Sequence, residues 1–115
     1  MDTSLKTRLA EKKCIPCEGN VPALGENEIN EFRSQISADW KIVDNRKIKR
    51  EFSFVNYKHT IDFVNRVAGI AEEEGHHPDM YVFFGRVEIE LWTHSIGGLT
   101  ENDFILAAKI DEINI

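Results

Sequence analysis

Residues Glu72–His94 read EEEGHHPDMYVFFGRVEIELWTH. A helix end, a turn and a hairpin meet in this stretch, so its reading decides the fold. Before it, NYKHTIDFVNRVAGIAEEEG (Asn56–Gly75) carries apolar residues at helical spacing. Tyr57, Ile61, Val64, Ala68 and Ala71 form the expected stripe, widened by Phe63, Val67 and Ile70. Asn56 suits the N-cap and Gly75 the helix end. Within the stretch, MYVFF, a turn at Gly85-Arg86 and VEIELWTH predict a β-hairpin. Val87, Ile89 and Leu91 alternate to one face; Glu88, Glu90, Trp92 and His94 alternate to the other.

Working outward, ENEINEFRSQI predicts a helix with Ile29, Phe32 and Ile36 on one face. ADWKIVDNRKIKREFSF predicts two strands around the turn Asp44-Asn45. Ile48, Phe52 and Phe54 share a face there, with Arg50 a charged misfit. The rest of the basic run Arg46–Arg50 suits a solvated strand side. At the far end Thr100 and Asp103 resemble a capping box before the helix of ENDFILAAKIDEI. The order α-β-β-α-β-β-α predicts an α+β fold, a four-stranded antiparallel sheet with helices packed on one face. We expect residues 1–24 to form an arm and residues 25–115 the domain.

The chain has 115 residues, 42% of them hydrophobic, with a formal net charge of −6. That suits one domain with a modest core. It argues against nucleic acid as a partner, which calls for clustered positive charge. No apolar run approaches the ~20 residues of a membrane span. MDTSLKTRLAEKK at the start has no apolar segment of a secretory signal. Both features lead us to expect a cytoplasmic protein without a membrane partner. Its two cysteines, Cys14 and Cys17, are spaced C-x-x-C. They lack a second pair for a structural zinc, and the turn-rich sequence after them is not the helix start of a redox motif. Local structure, a shared metal and redox chemistry all remain open for them.

Three of the four histidines lie in the opening stretch. His76 and His77 fall in the turn after Gly75, and Pro78 biases His77 towards extended backbone. Side chains of extended neighbours diverge, so the two are expected to play different roles. His94 ends the hairpin's second strand, and Gly97-Gly98 leaves room beyond it for a ligand or a close backbone. Glu72, four residues after Ala68, is expected to look inward while Glu73 faces solvent; helical angle does not exclude Glu74. His59 sits on the exposed side of the long helix. The residues alone allow three readings: solvated turn histidines, a His/His/His/Glu metal site, or acid–base catalysis without metal. Adjacent histidines rarely reach one metal. Imidazole, titrating near neutral pH, both gives and takes protons.

The pattern Glu72, His76, His77, Pro78, Phe84, His94, Asp103 resembles the signature of the pterin-4a-carbinolamine dehydratases, also known as dimerisation cofactors of a homeodomain transcription factor. GGLTENDFILAAKID resembles the family's closing loop and helix, and KKCIPCEGNVPAL the arm of its longer microbial and plant members. Met80 stands where members often carry tryptophan, and Ile96 where animal members have cysteine. The resemblance implies dehydration of 4a-hydroxytetrahydropterin to quinonoid dihydropterin, recycling the cofactor of aromatic amino-acid hydroxylases, with no metal or cofactor. It implies catalytic roles for His76, His77, His94 and Glu72. It implies substrate contacts for Pro78, Met80, Trp92, Thr93 and Ser95. It also implies a homodimer or homotetramer. The other reading it allows is a non-catalytic dimerising scaffold, including a transcriptional coactivator.

Overall fold

The computed structural model describes residues 8–16 and 21–115. Cys17, and with it the second half of the C-x-x-C motif, lies outside the described residues. After a 3-10 turn at Leu9–Glu11 come α1 (Glu26–Arg33), β1 (Lys41–Val43), β2 (Lys47–Ser53), α2 (Tyr57–Glu74), β3 (Asp79–Phe83), β4 (Arg86–Leu91) and α3 (Glu101–Asp111). The strands form one antiparallel sheet in the order β1-β2-β4-β3. The expected order of elements and the four-stranded sheet are those observed.

Local chemistry accounts for the junctions. Asp44 and Asn45 both take positive φ, 53° and 54°, and Arg46 N–H donates to Val43 O at 2.9 Å. That is the primed turn which matches strand twist, and it favours Asp and Asn. The second hairpin turns one residue earlier than expected. Phe83 pairs with Arg86, so Phe84 and Gly85 form the loop. A Cβ on Gly85 would stand 2.9 Å from Phe54 O, which requires glycine there. Asn56 Oδ1 accepts from His59 N–H at 2.8 Å to start α2, and Gly75, at φ +67°, ends it.

The core lies between the sheet and the helices. Val87, Ile89 and Leu91 of β4 are buried with Ile48 and Phe52 of β2, Phe63 and Val67 of α2, and most of α3. Each such side chain contributes about 1.5–3 kcal/mol on burial. The opposite sheet face carries cross-strand charge pairs: Lys47 with Glu90 at 3.4 Å, Lys49 with Glu88 at 4.0 Å, and Arg86 with Glu51 at 2.8 Å. The basic run is thus matched by acids on the neighbouring strand. Arg50 is the exception. It pairs with Ile89 in register, and its guanidinium binds Asp111 of α3 at 2.6 Å. Asp111 also accepts from the buried Trp40 indole N–H at 2.7 Å, so the misfit charge ties sheet to helix.

The buried face of α2 is turned from the expected one. It runs Thr60, Phe63, Val67 and Ala71. Tyr57 is exposed and stacks on Phe84 instead. The buried centre lies on the Phe63–Val67 side of the wide expected stripe, away from Tyr57 and Ile61, and that rotation decides which glutamate at the helix end points inward.

Candidate active site

The C-terminus of α2, the start of β3 and the end of β4 meet at one edge of the sheet. A cleft of about 390 Å³ opens there, lined by His76, His77 and His94 among others. Its other lining residues come from Pro78 and Asp79, from Trp92, Thr93 and Ser95, and from Ile15, Pro16 and Asn102. Three of the four histidines therefore share one cleft. His59 lies in a separate one, lined also by Phe54, Asp62 and Arg66.

The adjacent histidines go to different carboxylates. His76, 12% exposed, has Nε2 at 2.7 Å from Asp103 Oδ1. His77, 60% exposed, has Nε2 at 2.7 Å from Glu72 Oε2. A carboxylate oxygen accepts only, so each imidazole N–H donates and each ring presents its Nδ1 side elsewhere. Asp103 is fully buried in the first turn of α3. Its Oδ2 accepts from Thr93 Oγ1 and from the Thr100 backbone N–H, both at 2.9 Å. Thr93 thus spends its one hydroxyl hydrogen on the carboxylate, and Thr100 Oγ1, 2.9 Å from Thr93 Oγ1, donates to it. The expected capping box is present, and the same aspartate holds His76.

His94 is held by an aromatic neighbour. Its ring stacks on Trp92 with centroids 4.0 Å apart and planes at 30°. Asp79 Oδ2 accepts from the Trp92 indole N–H at 3.2 Å and lies 3.6 Å from His94 Nε2. One carboxylate thereby faces both members of the stack.

Glu72 does not look inward; its side chain is 78% exposed. Because the buried face of α2 runs through Val67 and Ala71, the inward position is Glu74, which is 4% exposed. Glu74 accepts from the Cys14 backbone N–H at 2.8 Å and lies 3.5 Å from Lys109 Nζ and 3.8 Å from Lys13 Nζ. Burial alone would raise its pKa. The Cys14 N–H and the two ammoniums outweigh burial and hold the carboxyl below its ordinary 4.5. The Cys14 thiol moves the other way. Burial first, then the Glu74 charge, push it up to about 12. It stays protonated at neutral pH and donates to Asn102 O at 3.6 Å.

Met80 also departs from expectation. It pairs with Ile89 in the ladder and packs against the core, outside the cleft lining. Pro78, Trp92, Thr93 and Ser95 do line it. Gly98 serves close approach: a Cβ there would meet Ala23 Cβ at 2.8 Å. Residues not anticipated at the site are Asp79, Asn102, Ile15 and Pro16. For Asp79 a signal existed. It shares strand parity with Glu90 and Trp92 across the hairpin, so a correct turn would have placed it beside them. For the arm residues no local pattern pointed to the site. Among the described residues no three His, Cys, Asp or Glu side chains converge as a metal would require.

Residues 22–113 match the family model described as pterin 4 alpha carbinolamine dehydratase. The chain belongs to that family. A relative from Alkaliphilus metalliredigens, which carries the name pterin-4-alpha-carbinolamine dehydratase provisionally, is 47% identical over 104 residues, or 90% of this chain and 94% of that one. One from Nitrosomonas eutropha, named in the same way, is 50% identical over 107 residues, or 93% and 94%. Among solved structures, a transcriptional coactivator/pterin dehydratase from Brucella melitensis superposes with a TM-score of 0.71 at 36% identity. It covers 76% of this chain and 94% of that one. A pterin dehydratase-like protein described as a RuBisCO assembly factor in the alpha-carboxysome gives a TM-score of 0.55 at 25% identity, covering 64% and 86%. The fold gathers His76, His77 and His94 at the cleft, with Asp103 buried behind His76.

Proposed function

We propose that the chain dehydrates a 4a-hydroxytetrahydropterin to the quinonoid dihydropterin and water. The observation that carries this is the convergence of His76, His77 and His94 on one cleft in a member of this family. The reaction needs no oxidant. A ring nitrogen pushes its lone pair towards the carbon bearing the hydroxyl, the C–O bond breaks, and the hydroxyl leaves as water with one added proton. A base removes an N–H proton from the ring, so protons balance. Imidazole is suited to both transfers, each worth roughly 10²–10⁴ in rate.

His77 and His94 are the proposed proton carriers, since both are solvent-facing in the cleft and come from separate elements. His76, fixed by buried Asp103, is the proposed positioning group for the pterin. Glu72 orients His77 through its 2.7 Å contact. The proposed setting is the cytoplasm, where the product feeds back to the tetrahydropterin used by aromatic amino-acid hydroxylases. A dehydration assay with freshly generated 4a-carbinolamine tests the reading. Turnover well above the uncatalysed rate is expected, and a rate equal to buffer would overturn it.

A scaffold role has one observation in its favour. The edge strand β3 and its turn expose Tyr81, Val82, Phe83 and Phe84. An unpaired apolar edge invites a second strand. We assign it to self-assembly into a homodimer or homotetramer, which is compatible with catalysis.

A further inference from the structure

We infer that the arm segment Cys14–Pro16 is a substrate-recognition wall of the cleft, with Ile15 and Pro16 as the apolar surface on which the pterin ring or its substituent rests. This inference rests on the dehydratase reading above.

The arm is first anchored by Leu9, which is buried against the core. Lys109 Nζ donates to Ala10 O at 2.8 Å, and Lys12 pairs with Glu101 at 2.6 Å. Those contacts suffice to hold a strap on α3, yet the next residues are pinned further. Asn102 Oδ1 accepts from Ile15 N–H at 3.0 Å while its Nδ2 donates to Ile15 O at 2.5 Å, copying a β-bridge with a side chain. Glu74, buried at the end of α2, holds the Cys14 N–H. Two buried polar side chains from two helices thus fix the backbone at Cys14 and at the residue after it. That residue, Ile15, is 69% exposed and lines the cleft. The pinning does little to bury Ile15; it sets its position.

The cleft's composition shows what the position serves. Three imidazoles, Asp79, Thr93 and Ser95 make it polar. A planar bicyclic heterocycle also needs apolar contact on its faces. Trp92 is already stacked on His94, and Lys47 Nζ sits 5.3 Å from its ring centroid. Ile15 and Pro16 with Pro78 supply the remaining apolar lining. Asn102 is adjacent to Asp103, so one helical turn positions both His76 and this wall.

The test is steady-state dehydration kinetics, with equilibrium binding of 7,8-dihydrobiopterin as unreactive probe, on Ile15→Ala, Ile15→Leu, Pro16→Ala and Asn102→Ala. Trimming an apolar contact in a pocket changes recognition about tenfold at the low end. Ile15→Ala is expected to raise KM and weaken probe binding by about that factor, with kcat within about threefold. Ile15→Leu should restore binding. Because Ile15 is exposed, its variants should keep the wild-type melting temperature, which separates recognition from folding. Asn102→Ala should weaken binding without trimming the wall. If wild type binds the probe and turns over, but Ile15→Ala and Pro16→Ala match it within twofold, the arm is only a strap and the inference falls. If wild type neither binds the probe nor turns over, both this inference and the dehydratase reading fall.

Discussion

Adjacent residues in this chain meet opposite fates, and the chemistry follows from that. His76 and His77 are neighbours, yet one is bonded to a buried aspartate and the other to an exposed glutamate. If His77 and His94 both carry protons, alanine at either should lower turnover about 10²-fold or more. Steady-state kinetics on the double variant should show less than the product of the two losses, as for residues acting in one unit. His59→Ala, in a different cleft, should stay near wild type. His76→Ala should affect KM at least as much as kcat. The thiol of Cys14 makes a separate prediction. With its pKa at about 12, it should react slowly with iodoacetamide at pH 8 in a Cys17→Ser background. Glu74→Gln should speed that labelling, because it removes a charge that raises the thiol's pKa. Residue identity and spacing made the three histidines and Asp103 legible in the sequence. They did not reveal that Glu74 rather than Glu72 turns inward, because both lie within one helical step of a wide apolar stripe.

At the scale of elements, the sequence carried strand alternation and caps well, and helix rotation poorly. Val87, Ile89 and Leu91 leave one choice of face, whereas α2 offers apolar residues over more than half its circumference. Packing against β3, β4 and α3 chose Phe63 and Val67 as its centre. The arm was illegible for a different reason: its contacts are made by side chains of α2 and α3 some 60 and 87 residues away. Its joint with α2 has a pH signature. The Glu74 carboxyl is held below 4.5, so its stabilising contacts are present above that pH and are lost as pH falls through the lower folded value. Glu74→Gln should therefore be less stable than wild type at pH 7, by about 1 kcal/mol or several degrees in Tm. The gap should narrow below pH 4.5, as thermal melts across pH would show.

The whole molecule presents an unpaired edge at β3, and two outcomes are expected at this scale. Light scattering at micromolar concentration should give a dimer or tetramer mass. Tyr81→Lys with Val82→Lys should shift it towards monomer by placing like charges on the edge. Activity should also survive exhaustive chelation, since the proposed proton transfers are made by imidazole; zinc whose removal abolishes turnover would contradict that. One consequence follows from the position of α3. Its first turn carries Asp103, which holds His76, and Asn102, which holds Ile15. A ribosome makes this helix after the other described elements, so the arm is synthesised long before its docking surface exists. The cleft is therefore completed last, by the longest-range closure in the fold. A chain truncated before Thr100 would carry all three histidines and no assembled site.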